Sequence, residues 1–195
     1  MKSTKRNTTK TIFFMIVLVC LIFSAFMYFS KREDKEKAEV VVEQSEVEKI
    51  LTKDLEKEYP PTAREVLKFY SRIVKCVHSG ELSEDEVTKL GDTLMLLYSK
   101  TLLKENPREV YIQSLLEEVS DYKKVGKTVT SYAIDTAENA ITWTKDGIDY
   151  ARLLATFTTK EGASFNKAYE EFVLMKDEQD QWKIVGWRLV EPEDM

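Results

Sequence analysis

Twenty consecutive residues without a charge, beginning at Thr11 and ending at Ser30, constrain this chain more than any other feature. In a helix that rises about 1.5 Å per residue, such a run covers roughly the 30 Å hydrocarbon core of a bilayer. A buried helix of a soluble protein is seldom apolar on every side over this length. A cleaved signal peptide is the main alternative, but the run exceeds the usual hydrophobic region and no small-x-small site follows it. The sequence therefore predicts an uncleaved transmembrane helix that contacts the lipid bilayer through residues 11–30.

Charges on the two sides of this run predict its orientation. Residues 1–10 hold four basic and no acidic side chains, whereas residues 33–195 hold 23 basic and 34 acidic ones. Because positive charge is retained on the cytoplasmic side, we expect a cytoplasmic N-terminal tail and an extracytoplasmic C-terminal domain. The prediction is thus a single-pass protein of the cell membrane. An acidic exported part argues against a nucleic-acid partner, since phosphate binding needs a basic face.

Residues 31–58 predict a charged stalk that is partly helical. Its later apolar residues recur at the helical spacing i, i+3, i+4 and i+8: Val47, Ile50, Leu51 and Leu55. This spacing favours a helix over residues 45–58, which is either solvated or packs its stripe on the domain or on a second copy. Pro60 and Pro61 end that helix, so we expect the folded domain over residues 59–195.

Three further helices are predicted because each opens with a typical N-terminal signal. Two begin with a capping box, in which Glu follows Ser or Thr by three residues: Thr62 with Glu65, and Ser83 with Glu86. The third begins at Pro107, a residue favoured in the first turn. These helices are expected over about residues 62–79, 83–98 and 107–126. Gly91 lies on the apolar face of the second helix, where it permits a close contact at a cost of about 1 kcal/mol.

After residue 127 the pattern changes to β-branched and aromatic residues separated by turn signals. Strands are expected over residues 128–136, 148–159, 165–176 and 182–190. Residues 141–144 are expected to join the second strand as a bent extension. Helices followed by strands predict an α+β fold. In this prediction an N-terminal transmembrane helix precedes three helices packed on a curved antiparallel sheet of about four strands.

The last predicted strand is apolar on both sides. Strict alternation separates two sets, Trp182, Ile184 and Val190 on one side and Val185, Trp187 and Leu189 on the other. The helices cover one side, so the other side is expected to meet the stalk helix, a second copy of the chain or another protein. Val185, Trp187 and Leu189 are therefore the candidate interface residues.

Several sequence blocks carry a resemblance to known families. Three helices followed by a curved antiparallel sheet resemble the nuclear-transport-factor-2-like, cystatin-related fold. Three blocks are similar to an uncharacterised family of single-pass membrane proteins from Gram-positive bacteria: residues 59–66, Asp146-Gly147 with Tyr150-Ala151, and residues 182–187. The similarity covers residues 59–191 and implies an exported, cone-shaped domain with an internal pocket, without implying an activity. A strand that this fold often has between its second and third helices is not predicted here.

Few side chains outside the uncharged run suggest chemistry. The single histidine, His78, follows the apolar stripe of the first domain helix and is expected at the surface or at the edge of the core, beside a helix C-terminus. One histidine and two cysteines do not make a conventional zinc site, and the six scattered glycines form no phosphate-binding loop. We therefore predict no metal and no cofactor. Cys76 is the only thiol after residue 30, which excludes an intramolecular disulfide in the exported part.

Three tyrosines on the predicted helices are candidates for lining a pocket: Tyr70, Tyr98 and Tyr111. Aromatic residues on apolar stripes more commonly belong to the core. Isomerases and dehydratases that resemble the predicted fold use a pocket Asp or His with Tyr partners. Asp135 and Asp149 are the strand carboxylates that such chemistry would need here. No catalytic residue is assigned from the sequence, and an enzyme is not the expected function.

The sequence as a whole predicts a non-catalytic, membrane-anchored module outside the cytoplasm. It is expected to bind a protein, a peptide or a small apolar ligand, and a protein partner or a homodimer would use the sheet face. One alternative is a scaffold subunit of an envelope or conjugation-type assembly. The other alternative is a pocket enzyme of the isomerase or dehydratase type.

Overall fold

The structure, a computed structural model, describes residues 45–191. Five α-helices come first: α1 (Glu46–Leu51), α2 (Ala63–Val77), α3 (Glu84–Met95), α4 (Lys100–Glu105) and α5 (Arg108–Lys124). Four of them begin at a hydroxyl side chain that accepts a hydrogen bond from a backbone N–H three residues later: Ser45, Thr62, Ser83 and Ser99. These caps satisfy backbone donors that the first turn of a helix leaves free, which explains why the helices begin where they do.

The strands follow the helices and form one antiparallel sheet. They are β1 (Lys127–Ile134), β2 (Ile141–Lys145), β3 (Ile148–Glu161), β4 (Ser164–Lys176) and β5 (Trp182–Val190). The strand order is β1-β3-β4-β5, and β2 also pairs with β3. β1 pairs with residues 155–161 of β3 and β2 with residues 148–152, so the two short strands lie end to end along one edge of β3. The fold is therefore α+β.

One side of the sheet packs against the helices and forms the core. Leu153 and Phe157 of β3 are buried on this side, and so are Phe172 and Leu174 of β4. Residues paired across neighbouring strands point to the same side, and along a strand the sides alternate. We call this the helix side of the sheet and the opposite one the outer side.

The first helix of the described chain belongs to the packed structure. Ile50 of α1 has no exposed surface and Leu55 is also buried, and both lie in the same hydrophobic cluster as the residues of α2. The sequence leaves open whether the apolar stripe of α1 is solvated, packs on the domain or packs on a second copy. In the structure it packs on the domain. The compact part of the chain consequently begins before Tyr59.

Gly91 of α3 lies where this helix crosses α5. A Cβ atom at this position would stand 2.6 Å from Ile112 Cδ1 and 2.9 Å from Leu115 Cδ2, both on α5. Carbon atoms do not approach so closely without displacement. The missing side chain therefore sets the spacing of α3 and α5, as the position of Gly91 on the apolar face predicts.

The predicted count of three helices and about four strands is wrong, because residues 45–191 contain five of each. The helix predicted over residues 45–58 corresponds to α1 but ends at Leu51, and residues 141–144, predicted to extend the second strand, belong to the separate strand β2. α4 is not predicted, because its six residues are too few for a full amphipathic repeat. Between α3 and α4, where no strand is predicted, Tyr98 forms an isolated parallel bridge with Ile184. The Ile184 N–H donates to Leu97 O at 2.8 Å and the Ser99 N–H to Ile184 O at 2.8 Å.

The predicted transmembrane helix over residues 11–30 lies outside the described residues, as do the predicted tail and the first part of the stalk. None of the helices between residues 45 and 191 combines the length and the apolarity that a bilayer crossing requires. The element count by itself corrects the predicted number of helices and strands.

Candidate ligand-binding cavity

A cavity of about 240 Å³ lies between α2, α3, α5 and the helix side of the sheet. Most of its wall is aromatic or aliphatic, and five lining residues other than the tyrosines carry acidic, imidazole or hydroxyl groups: His78, Ser114, Glu118, Thr159 and Glu170. Ser114 and Glu118 are exposed on α5, so the cavity opens to solvent beside this helix. A concave space with a mostly apolar wall and a few polar groups is the usual form of a small-molecule site.

Helical spacing explains which side chains reach the cavity. Tyr70, Val74 and Val77 follow one another on α2 at intervals of four and three residues, and all three line the cavity. On α5 the lining residues recur in the same manner: Tyr111, Leu115, Glu118 and Tyr122. Each helix thus turns one stripe toward the sheet, and the stripe of α5 includes a carboxylate.

Several of the aromatic rings at the cavity contact one another. The Tyr98 ring lies 5.7 Å from that of Tyr111 and 6.0 Å from that of Trp187, measured between centroids. Tyr70 lies 5.9 Å from Trp187 and 5.2 Å from Phe172. The Tyr98 and Tyr111 hydroxyl oxygens are 3.0 Å apart and share a hydrogen bond. Burial raises the pKa of both hydroxyls, so each stays protonated at neutral pH.

His78 is buried at the C-terminal end of α2, with 6% of its surface exposed. Its Nδ1 lies 3.0 Å from Val74 O and its Nε2 lies 3.2 Å from Glu118 Oε1. Val74 O is an acceptor, and an ionised Glu118 carboxylate is one too, so each ring nitrogen of His78 faces an acceptor. The hydrogen bond from His78 also holds the pKa of the Glu118 carboxyl below its usual 4.5.

Glu170 of β4 lies on the helix side of the sheet, because it pairs with Ala155, a buried residue of β3. Its side chain lines the cavity and is half-buried. Within residues 45–191 its carboxylate has neither a hydrogen bond nor an ion pair. Burial raises the pKa of Glu170 above its usual 4.5, and the negative charge of Glu118 raises it further.

The structure brings together the three tyrosines that the sequence singles out. Tyr70, Tyr98 and Tyr111 all line the cavity, where they lie among core aromatic residues and also face open space. Sequence reasoning missed Glu118 and Glu170. Both could have been found from periodicity, since Glu118 continues the α5 stripe and Glu170 alternates with Phe172 and Leu174.

The predicted orientation of Trp187 is wrong. Phe172 pairs with Trp187 and Leu174 pairs with Ile184, although three residues on β5 correspond to two on β4. This bulge inserts one residue and reverses the alternation. Trp187 therefore shares the helix side with Ile184 and faces the cavity, and the pairing of Leu189 with Glu170 assigns Leu189 to the same side. Leu189 is 72% exposed and Val185 lies within the bulge.

The remaining candidates lie elsewhere. His78 is predicted at the surface or at the edge of the core but is buried. Asp135 bonds through its backbone oxygen to Arg64 Nε at 2.8 Å, and exposed Asp149 accepts a hydrogen bond from the Thr144 hydroxyl at 2.8 Å. Neither aspartate lines the cavity.

Cys76 is half-buried beside a surface hollow of about 510 Å³, and burial raises the pKa of its thiol. No group of three potential metal ligands occurs between residues 45 and 191.

Comparison with known families gives one match. A family model described as a domain of unknown function (DUF6715) matches residues 1–187. This match extends over nearly the whole chain and ends at Trp187, one of the residues that line the cavity. No curated protein matches the chain at a significant level.

Proposed function

This chain belongs to the DUF6715 family, and we propose that it binds one small, mostly apolar molecule in the cavity between the helices and the sheet. The observation that carries the proposal is the cavity itself, which six aromatic side chains line without filling it. Protein interiors are close-packed, and empty spaces larger than a water molecule are few. A domain that keeps such a space, and lines it with rings and a few polar groups, has the composition of a ligand site.

The size of the cavity limits its occupant. Apolar cavities of about 150 Å³ accept benzene, whereas sites for drug-sized ligands measure about 300 to 1,000 Å³. At about 240 Å³, the space suits a molecule with one ring or a short branched chain, together with one polar group. The Tyr98 and Tyr111 hydroxyls and the Glu170 carboxylate are the groups available to meet that polar end.

Titration of the purified full chain with phenol, p-cresol and benzyl alcohol tests the proposal, with binding followed by calorimetry. We expect saturable binding of at least one of these probes at one site per chain. Ala168 lines the cavity, so Ala168→Leu fills part of the space and is expected to weaken binding by about tenfold or more, equivalent to about 1.4 kcal/mol.

A matched control separates filling of the cavity from a general effect of the larger side chain. Ala133 of β1 is exposed and pairs with Thr156, on the outer side of the sheet. Ala133→Leu adds the same atoms away from the cavity and should leave the affinity unchanged. Equal affinity in the wild type and in Ala168→Leu would contradict the proposal, and so would the absence of saturable binding to all three probes.

An acid–base reaction is a second candidate, and the carboxyl group of Glu170 favours it. A carboxyl group with a raised pKa beside hydroxyl donors is suited to abstract a proton from a carbon next to a carbonyl group. The test is hydrogen–deuterium exchange at the α-carbon of cyclohexanone, followed by NMR in D2O. This candidate requires exchange above the buffer rate that Glu170→Gln abolishes, and exchange at the buffer rate would exclude it for this ketone.

The location outside the cytoplasm stays a prediction from the charges around residues 11–30. Its test is digestion of intact cells that express the full chain, with protease added from outside. The prediction requires loss of the C-terminal domain while a cytoplasmic marker protein stays intact. Protection of the domain, or a mature chain that lacks its first thirty residues, would contradict it.

A further inference from the structure

We propose that the ligand of this cavity is an organic cation, a small amine whose apolar body lies among the aromatic rings and whose charged nitrogen meets Glu170. This inference rests on the proposed function and specifies the chemical class of the ligand. It follows from the charge balance of the cavity and from the arrangement of its rings.

Two carboxylates line the cavity, and within residues 45–191 only one of them has a hydrogen-bond partner. Glu118 Oε1 lies 3.2 Å from His78 Nε2, and the charged form of that imidazole bonds both Glu118 and Val74 O. Glu118 therefore has a hydrogen-bond partner within the protein. The pair is also half open to solvent, since 52% of the Glu118 side chain is exposed.

Glu170 has no such partner among the described residues. The neighbouring acid on β4, Glu171, lies on the outer side and contacts Arg152 and Arg188 at 3.5 and 3.0 Å. Among the described residues no lysine or arginine lines the cavity, and His78, the one imidazole that does, contacts Glu118 and makes no hydrogen bond to Glu170. A half-buried carboxylate is costly to keep charged and unpaired, and a cationic ligand would supply the missing charge.

The rings beside Glu170 suit the same ligand. Tyr70, Tyr98 and Trp187 lie 5.9 to 6.4 Å from one another, measured between ring centroids. Aromatic faces attract cations through their negative quadrupole, and Trp and Tyr do so more strongly than Phe. Rings next to a carboxylate therefore provide two sources of affinity for an ammonium group and only one for a neutral molecule of the same shape.

Two probes of nearly equal shape test the charge of the ligand. Benzylamine is cationic at pH 7 and benzyl alcohol is neutral, and both fit a space of about 240 Å³. For the purified full chain we expect calorimetry to show benzylamine binding about tenfold more tightly than benzyl alcohol. Glu170→Gln should reduce benzylamine affinity by about tenfold and leave benzyl alcohol affinity within about twofold.

Glu171→Gln is the matched control, because it removes a carboxylate from the same strand on the outer side. It should leave the affinities for both probes unchanged. Binding of benzyl alcohol to Glu170→Gln also shows that this variant retains its fold. If benzyl alcohol binds the wild type but benzylamine binds no more tightly, or if Glu170→Gln does not weaken benzylamine, the cation inference is overturned and the proposed function stands. If neither probe binds the wild type, both are overturned.

Discussion

Trp187 of β5 stacks on Phe172 of β4, with ring centroids 5.6 Å apart and ring planes inclined by 21°. The contact depends on the bulge of β5, since regular alternation would turn Trp187 to the outer side. The bulge therefore converts a residue of the sheet surface into part of the cavity wall. Trp187 remains 42% exposed, so it belongs both to the cavity wall and to the surface of the domain.

Replacement of Trp187 by alanine should affect stability and binding together. Loss of its contacts with Phe172, Tyr70 and Tyr98 is expected to lower the free energy of unfolding by about 2 kcal/mol, less than for a fully buried tryptophan. The affinity for p-cresol should fall by about fivefold or more. Denaturant unfolding and calorimetry measure the two effects.

Trp143 provides the control for this prediction. It is 38% exposed and stacks on a single ring, that of Tyr150 on the outer side. Trp143→Ala should cost about 1 kcal/mol or less and leave p-cresol binding unchanged. An equal loss of p-cresol affinity in both variants would contradict a direct contact between Trp187 and the ligand.

Gly91→Ala should destabilise the domain although alanine favours a helix. The added Cβ would stand 2.6 and 2.9 Å from side-chain atoms of Ile112 and Leu115, and such overpacking costs about 1 to 3 kcal/mol. The higher helix propensity of alanine offsets about 1 kcal/mol of this cost. Denaturant unfolding is therefore expected to show a free energy of unfolding lower by about 1 kcal/mol. Gly186→Ala is the comparison, because nothing lies within 4 Å of its added Cβ, and its effect should stay within about 0.5 kcal/mol. A stabilising Gly91→Ala would contradict the close helix crossing.

The two cavity glutamates should affect stability with opposite dependence on pH. The hydrogen bond from His78 lowers the pKa of Glu118 in the folded chain. The stability that Glu118 contributes is therefore present above its usual pKa of 4.5 and is lost as the pH falls through the lowered value. Glu118→Gln should lower the free energy of unfolding at pH 7, and its difference from the wild type should shrink below pH 4.5.

Burial raises the pKa of Glu170, so the folded chain binds its proton more tightly than the unfolded chain does. This contribution to stability is present below the usual pKa of 4.5 and is lost as the pH rises through the raised value. Glu170→Gln should therefore be more stable than the wild type at pH 7, with a gain that disappears toward pH 4.5. Thermal unfolding from pH 3 to pH 8 measures both variants. A Glu170→Gln variant less stable than the wild type at pH 7 would contradict an unpaired, half-buried carboxylate.

Periodicity and capping explain how far the fold could be predicted. The amphipathic helices α2, α3 and α5 and the strands β1, β3, β4 and β5 lie close to their predicted ranges. Long elements repeat their burial pattern several times, so the sequence specifies them well. The six-residue helix α4 and the fully exposed strand β2 have no such repeat, and tertiary contacts decide their structure.

The candidate site was predictable only in part. Tyr70 and Tyr111 follow from helical stripes that point to the sheet. The side of the sheet to which Trp187 points could not be predicted. A bulge at Val185 and Gly186 has no reliable sequence signal, and one inserted residue turns every later side chain of β5 to the opposite side of the sheet. The pairing of His78 with Glu118 joins residues 40 positions apart, and only the packing of α2 beside α5 brings them together.

NMR of the methyl-labelled full chain during a titration with p-cresol tests most directly whether the cavity holds a ligand. The account predicts saturable shifts of the methyl groups of Leu115, Val129 and Ala168, which line the cavity. Leu154 and Val173 pair with Glu171 and Arg152 on the outer side, and their methyl signals should stay in place. Shifts concentrated on Leu154 and Val173, or shifts that never saturate, would contradict a binding site between the helices and the sheet.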